Sequence, residues 1–351
     1  MKRRKTKLSE EDLDDRVEFL PTGSTLLNLA ASGGKATKGG IGRGRITNFV
    51  GDGSAGKTAI TLEICAQTYY FLKNRESNIW PTPKKIDVVY NNKEGVMDFP
   101  VVKMWGKEFN EAVIWTRSEH MEQCGRDILR RIKALKKGEC LLYVIDSLDA
   151  YDAKKARERS EKSIKTDKEA DNTMGMEKPK YLSREFFPSL CSALEDGQKD
   201  ATIIIISQVR DNIGAGMFEK RYKRQGGKAM DFYTHMVCWL AVVTKLTKEV
   251  TIGSKKKKIP YGVTTKAQFS RNKCATSFRD VDIDILFANK YTPARLGAID
   301  DIGSMVKFMG YRKDTIPEWS KKKKQLIKLV KKKWNDIEKS LVQEREEVYP
   351  K

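Results

Sequence analysis

The sequence predicts an α/β fold built on a mainly parallel sheet that helices cover on both faces. Apolar runs typical of buried strands recur along the chain, at residues 46–50, 86–90, 112–116, 141–145, 202–206 and 236–243. Helical stretches separate some of these runs, and in the stretch 119–136 apolar residues recur at three- and four-residue spacing. A glycine-rich turn at residues 51–58 joins the first run to a helical pattern. Strands that alternate with helices in this way favour a parallel sheet.

The glycine-rich turn has the pattern G-x-x-x-x-G-K-[ST], the phosphate-binding loop called Walker A. Its residues are Gly51, Asp52, Gly53, Ser54, Ala55, Gly56, Lys57 and Thr58, and Ala59 follows in the helix. The glycines allow backbone N–H groups to surround phosphate oxygens, and the start of the helix adds the positive end of its dipole. Lys57 would neutralise the outer phosphates, and the Thr58 hydroxyl would bind Mg²⁺. We therefore predict a site for ATP and Mg²⁺.

Two acidic residues that follow strand patterns could complete this site. Asp146 comes directly after the run LLYVI, and ligands bind at the carboxyl ends of strands in open parallel sheets. Its carboxylate would hold the water shell of Mg²⁺, with a buried or capping aspartate as the alternative. Glu94 lies just past the run 86–90, and it could orient or activate the attacking water. A glutamate in a surface turn explains Glu94 nearly as well.

The charge of the chain favours nucleic acid as a partner. There are 68 Lys and Arg residues against 47 Asp and Glu residues, a formal net charge of +21, and the excess is clustered at residues 2–7, 220–228, 255–258 and 321–333. The predicted DNA-binding residues lie in or beside a basic, glycine-rich segment, and they are Arg210, Phe218, Lys220, Arg221, Lys223, Arg224 and Lys228. The cations would meet phosphates. Phe218 or Tyr222 could stack on bases, although packing of these rings within the loop remains equally open.

We predict three parts: a basic arm at residues 1–20, an ATPase core at 21–295 and a small helical module at 296–351. Within the core, the charged segment 152–179 predicts a loop or a partly disordered excursion, and GSKKKK at 253–258 predicts the turn of an exposed hairpin. The helical module has one apolar face, formed by Trp319, Leu326, Ile327, Val330, Trp334, Ile337 and Leu341. Lysines mark the other face, and both simple solvation and binding of nucleic acid remain open for them.

The cysteines and the apolar runs predict a cytoplasmic protein. Six cysteines stand apart from one another, without C-x-x-C pairs or nearby histidines, which is typical of reduced thiols. The basic amino-terminal residues have no apolar run behind them, and the longest apolar runs elsewhere are too short to span a bilayer. We expect no export signal and no membrane anchor.

Five segments in this order resemble the RecA recombinase family, and more particularly its phage-encoded UvsX-type members. The segments are TGSTLLNLAASGG, the Walker A loop, RSEHMEQCGRDILRRIKALKKGECLLYVIDSLDAY, IIIISQVRDNIGAGMF with GGKAMDFY, and FSRNKCATSF. The resemblance runs from about residue 22 to about residue 311. It implies a RecA-like P-loop ATPase core that forms a helical filament on single-stranded DNA and promotes pairing and strand exchange with double-stranded DNA. Single-strand-binding and mediator proteins would be further partners.

The resemblance also implies roles for individual residues. Gln208 takes the place of the glutamine that senses the γ-phosphate. The excursions 152–180 and 209–228 contain the counterparts of the two loops that face DNA. Arg271 and Lys273 match the basic pair that reaches the phosphates bound to the neighbouring subunit and would act in catalysis there.

The chain departs from the family pattern at its catalytic glutamate. That glutamate follows its strand one residue earlier than Glu94 does, so Asp98 is a rival. The carboxyl-terminal part is rich in lysine up to Glu344, whereas bacterial members end in an acidic tail. Two other functions stay open at this point. One is a ring-forming replicative DNA helicase, which shares the core; the other is a non-catalytic ATP-binding recombination mediator, which would be favoured if Glu94 were inert.

Overall fold

The computed structural model describes residues 17–73, 82–95, 97–166, 176–195, 198–211, 222–224, 227–252, 254–289, 292, 294, 296–311 and 322–348. A short ribbon of β1 (Phe19–Leu20) and β2 (Ile41–Gly42) precedes the main sheet. The nine strands of that sheet are β3 (Ile46–Gly51), β4 (Lys85–Asn92), β5 (Val113–Thr116), β6 (Glu139–Asp146), β7 (Ala201–Asp211), β8 (Tyr222–Arg224), β9 (Met236–Ile252), β10 (Lys255–Asn272) and β11 (Asp280–Leu286).

The main sheet is mostly parallel, which confirms the predicted fold class. Its strand order is β11-β10-β9-β3-β7-β6-β4-β5, and β8 pairs with the end of β7. The strands from β9 to β5 in this order pair in parallel, whereas β10 and β11 pair antiparallel at one edge. Parallel neighbours require crossover connections, and helices supply them.

Helices cover both faces of the sheet. Their bounds are Thr25–Ser32, Lys57–Lys73, Val101–Trp105, Lys107–Ala112, Met121–Ala134, Lys154–Thr166, Glu177–Tyr181, Phe187–Leu194, Gly227–Tyr233, Asp301–Phe308 and Lys323–Val348. Along β6, Leu142 and Val144 join one buried apolar cluster, while Leu141, Tyr143 and Ile145 join the other. Since successive side chains of a strand point to opposite faces, this alternation shows that both faces are packed. In the described part of the chain, none of the helices combines the length and the apolar composition needed to cross a bilayer.

The prediction of a loop across the charged segment 152–179 is wrong for residues 154–166. These residues form the helix Lys154–Thr166, none of whose side chains is buried. Ion pairs four residues apart run along it, Arg157 with Glu161 at 2.9 Å and Lys154 with Glu158 at 3.6 Å. Such pairs stabilise a helix by a few tenths of a kcal/mol each. The prediction was based on the periodicity of apolar residues, which does not register pairs of charged residues. The prediction is also wrong at residues 177–179, which begin the helix Glu177–Tyr181. Residues 167–175 lie outside the described part of the chain.

The hairpin predicted around residues 253–258 is present, but its turn is shorter. The lysines 255–258 are the first residues of β10, and they pair with residues 249–252 at the end of β9. All four lysines are exposed. Charged side chains are common on exposed ribbons because they discourage further strand pairing.

The carboxyl-terminal helices pack on the same hydrophobic cluster as the core. Leu326, Val330 and Trp334 of the helix Lys323–Val348 are buried in that cluster. Arg279 also donates two hydrogen bonds of 2.6 Å to Glu338. The predicted apolar face is therefore right at its centre but too long, because Ile337 and Leu341 are 43% and 41% exposed. Trp319 and the predicted arm up to residue 16 lie outside the described residues, and the boundary near 296 stays a prediction.

Replacement of Trp334 by Ala tests this packing. The change should lower the free energy of unfolding by about 3–5 kcal/mol, because it removes a large buried side chain and leaves a cavity. Ile337→Ala, one turn further along the same helix, is the matched control and should cost roughly 1 kcal/mol or less, since its side chain is half exposed. Urea unfolding followed by far-UV circular dichroism measures both. Equal, small losses would show that the helix is not anchored through Trp334.

Candidate nucleotide site

The Walker A turn connects the central strand β3 to the helix Lys57–Lys73. β3 is buried along its whole length and ends at Gly51. A side chain at Gly51 would come within 2.7 Å of the Leu240 carbonyl oxygen, so only glycine fits there. Ser54 and Gly56 adopt φ angles of 64° and 83°, the left-handed region that a tight reversal needs. The strand, the turn and the helix that the motif predicts are therefore all present.

Lys57 is buried and folds back over this turn. Its Nζ donates hydrogen bonds to the carbonyl oxygens of Gly51, at 2.8 Å, and Asp52, at 2.7 Å. Burial lowers the pKa of Lys57, while the negative charges of Glu94 and Asp146 oppose that shift. The ammonium group thus lies at the turn, where it could compensate phosphate charge.

Asp146 lies at the end of β6 and faces Thr58. Its Oδ2 accepts hydrogen bonds from the Thr58 hydroxyl at 3.0 Å and from the Tyr90 hydroxyl at 2.7 Å. Burial raises the pKa of the Asp146 carboxyl, and the hydrogen bond from Tyr90 opposes this effect. Its other oxygen, Oδ1, is buried without a hydrogen-bond partner among the described residues. A carboxylate oxygen of this kind beside a hydroxyl is the donor set that Mg²⁺ prefers, so these residues fit the predicted metal.

Glu94 meets the ends of two other strands. Its Oε1 accepts a hydrogen bond of 2.6 Å from the Gln208 side-chain amide on β7, and a second from the Ser147 hydroxyl next to Asp146. The structure therefore brings the predicted water-activating residue, the predicted phosphate sensor and the predicted metal ligand to one edge of the sheet. Asp98 is exposed, and no hydrogen bond joins it to this group within the described residues. This placement favours Glu94 over Asp98.

Sequence reasoning did not assign functions to three residues that contact this group. Tyr90 supports Asp146, Ser147 supports Glu94, and the Asp149 carboxylate accepts a hydrogen bond of 2.7 Å from the backbone N–H of Gln208. Ser147 could have been found, because it follows Asp146 in the chain. The other two contacts depend on strand order and on a turn, for which the sequence carries no spacing signal.

Arg271 and Lys273 lie far from the Walker A turn of their own chain. Gly51 aligns with Leu240 and, through it, with Ala267 on β10. Arg271 lies four residues beyond that level, roughly 13 Å along the strand at about 3.3 Å per residue. Lys273 is further on, and its Nζ donates a hydrogen bond to the Phe232 carbonyl at 2.9 Å. Both predicted cations therefore lie near the end of the sheet where β3 begins, opposite the end that carries the Walker A turn.

The described structure bears on only one of the predicted DNA-binding side chains. Phe218, Lys220 and Arg221 lie outside the described residues, and for Arg210, Lys223 and Lys228 only the backbone is described. Arg224 differs from expectation, because its side chain is only 6% exposed and donates hydrogen bonds to Asn48 and Asp231. Burial lowers the pKa of this guanidinium, and the nearby charge of Arg271 lowers it further. In this arrangement Arg224 supports the fold and does not face solvent.

Comparison with known proteins places these features in one family. The family model for the RecA N-terminal domain matches residues 2–292. The chain belongs to the RecA family. Among its relatives, protein RecA of Nitratidesulfovibrio vulgaris is 28% identical over 301 residues, covering 85% of this chain and 71% of the relative. Protein RecA of Thermus aquaticus is 24% identical over 332 residues, covering 91% and 85%.

Membership of the RecA family identifies the chain as a RecA-type recombinase. At the level of the family it implies DNA binding, filament formation and DNA-dependent ATP hydrolysis. Nothing in the comparisons favours the helicase alternative. The UvsX-type subgroup stays a prediction.

Replacement of Asp146 by Asn tests whether the site costs stability. Because burial raises the pKa of Asp146, the folded protein holds more protons than the unfolded chain between the two pKa values, and stability falls as pH rises through that window. Asp146→Asn removes the charge, so without nucleotide and Mg²⁺ it should unfold at a higher temperature than the unsubstituted protein at pH 7. This advantage should shrink as pH falls through that window. Scanning calorimetry in EDTA measures the unfolding temperatures. An Asp146→Asn variant that unfolds at a lower temperature at pH 7 would show that the buried carboxylate does not destabilise the fold.

Proposed function

We propose that this protein hydrolyses ATP at sites shared by adjacent copies of the chain, and that ATP occupancy controls its hold on single-stranded DNA during strand exchange. The observation that carries the proposal is the meeting of Glu94, Gln208 and Asp146 at the carboxyl ends of three neighbouring strands. If it is right, the protein acts where its DNA is, in the cytoplasm of its cell or of a host.

Each residue of this group has a role that its position supports. Lys57 and the backbone of the Walker A turn would hold the phosphates of ATP, and Thr58 and Asp146 would hold Mg²⁺. The ion, when bound, neutralises charge on the transferred phosphoryl group. Glu94 would orient the attacking water, because its carboxylate lies beside the segment that carries Asp146. A non-catalytic mediator would have no use for a carboxylate at that point.

The hydrogen bond between Glu94 and Gln208 supports a nucleotide-dependent switch. The side-chain amide of Gln208 donates a hydrogen bond to Glu94 Oε1 at 2.6 Å. If that amide turned to a γ-phosphate, it would release the Glu94 carboxylate for water. Gln208 lies near the end of β7, directly before the segment 209–228 that is predicted to meet DNA. A change at Gln208 would therefore reach the DNA-facing segment through the backbone.

The position of Arg271 and Lys273 supports a shared site. They lie near the end of the strands opposite Gly51, so they could contact ATP only on a neighbouring copy that packs head to tail. As arginine fingers they would be worth roughly 10³-fold or more in turnover. As surface ion pairs they would contribute about 1 kcal/mol of stability and almost nothing to the rate. The two roles differ by orders of magnitude in a rate measurement.

Complementation between two inactive variants tests the shared site. Lys57→Ala should abolish ATP turnover, because the loop loses its side-chain cation. The double variant Arg271→Ala, Lys273→Ala should fold, bind nucleotide and lose DNA-stimulated hydrolysis by roughly 10³-fold. A mixture of the two should recover part of the activity, since some interfaces then pair an intact loop with intact cations. Steady-state ATPase assays with single-stranded DNA measure this.

Lys266→Ala is the matched control for that experiment. Lys266 is on the same strand, exposed, and pairs with Asp280 at 3.2 Å. Its removal should leave turnover within about twofold, as expected for a surface ion pair. Normal hydrolysis by the double variant, or a dead mixture whose components each assemble on DNA, would show that the shared-site mechanism is wrong.

The salt dependence of DNA binding tests the DNA-facing segment. The logarithm of the affinity for single strands should fall with the logarithm of salt concentration by about 0.7 per phosphate contacted. Replacing Lys220, Arg221 and Lys223 by Ala should flatten that slope by roughly 2 units if each makes one contact. Arg224→Ala is the contrasting variant: it should lower stability and leave the slope unchanged, because its guanidinium is buried. An unchanged slope in the triple variant would move the DNA site elsewhere, for example to the lysine-rich carboxyl-terminal helix.

A further inference from the structure

One turn contacts residues beside the nucleotide site and residues in or directly before both segments predicted to meet DNA. It is the 3-10 turn Leu148–Ala150, which follows Asp146 and Ser147. The Asp149 side chain contacts the end of β7 from this turn, and the turn's backbone carbonyls contact the helix Glu177–Tyr181.

The contact of Asp149 with β7 replaces a missing strand partner. β6 pairs with β7 only as far as Ile145 with Ile205, whereas β7 continues to Asp211. On the other side, β3 still pairs with β7 at Gly51 and Gln208. Beyond the end of β6, the Gln208 N–H donates to Asp149 Oδ2 at 2.7 Å. A carboxylate that accepts from a backbone N–H makes one of the stronger kinds of hydrogen bond.

The second contact is made by Lys178. Its Nζ donates to the Leu148 carbonyl oxygen at 2.7 Å and lies 3.4 Å from that of Asp149. Lys178 is in the first helix after residues 167–175, within the predicted first DNA-facing segment. The turn therefore holds the backbone of β7 through a side chain and the other segment through its own carbonyls.

The same β7 residue contacts Asp149 with its backbone and Glu94 with its side chain. We infer that Asp149 is a positioning residue that couples nucleotide state to DNA binding. Asp149 fixes the backbone of Gln208. A change of partner by the Gln208 side chain then moves the end of β7, and this movement passes to the segment 209–228. Without this hydrogen bond, the Gln208 side chain could turn from Glu94 to a phosphate without moving the rest of β7.

This inference rests on the proposed ATP-controlled DNA binding, and one ratio tests it. Dissociation constants of the full chain for a fluorescent oligothymidylate are measured by anisotropy, with a non-hydrolysable ATP analogue and with ADP, both with Mg²⁺. Asp149→Ala should reduce the ratio of the two constants about tenfold, the size expected for loss of a hydrogen bond to a charged group. Asp149→Asn should restore most of the ratio, because its amide oxygen still accepts from the Gln208 N–H.

Asp282→Ala, which removes an exposed carboxylate on β11 outside both segments, is the matched control and should keep the ratio of the unsubstituted protein. If Asp149→Ala fails to fold, as judged by circular dichroism, Lys178→Met tests the same turn from its other contact and should also lower the ratio. The role of Asp149 would be overturned if folded Asp149→Ala or Lys178→Met kept the ratio of the unsubstituted protein. It would also be overturned if Asp149→Asn lowered the ratio as much as Asp149→Ala. If the unsubstituted protein binds DNA equally with both nucleotides, the proposed function itself fails.

Discussion

The parallel register of four strands is the constraint on which the candidate site depends. Gly51 of β3 pairs with Gln208 of β7, and Asn92 of β4 pairs with Asp146 of β6. Because neighbouring parallel strands end at the same edge, these pairings bring a phosphate-binding turn, a carboxylate and an amide within reach of one another. A shift of one residue in any of these strands would turn its side chains to the other face of the sheet and dismantle the group. The two buried clusters hold that register from both sides.

The groups gathered at this edge are costly to the nucleotide-free fold. Burial lowers the pKa of Lys57 and raises that of Asp146, so each is less stable in its charged form than it would be in water. The two residues lie near each other, and Thr58 and Tyr90 donate hydrogen bonds to the carboxylate, which recovers part of the cost. The remainder is what binding of a highly charged nucleotide with its metal ion could release. Affinity for the ligand and instability without it would then have a common physical origin.

The position of Arg271 and Lys273 is the basis for the proposed site shared between copies. Arg271 and Lys273 cannot approach their own Walker A turn, since the length of several residues of strand separates them. Arg224 lies close enough to Arg271 for their like charges to interact, and it is held by Asn48 and Asp231. Arg224, near the end of the second segment predicted to face DNA, therefore lies beside the cations proposed to act on the next copy. A filament would place that contact between every pair of neighbours.

The sequence alone determined the local features of this protein, and the tertiary structure decided the contacts between them. The α/β class, the Walker A turn and the strand that ends at Asp146 follow from patterns of adjacent residues, since apolar periodicity and glycine spacing are properties of short segments. Residue patterns alone left Glu94 ambiguous, because its partner Gln208 is 114 residues away and only strand order brings them together. The helix Lys154–Thr166, the burial of Arg224 and the Asp149 contact were missed for the same reason. Each depends on a charged side chain that finds a particular partner, and a charge by itself does not say whether that partner is water, another residue or DNA.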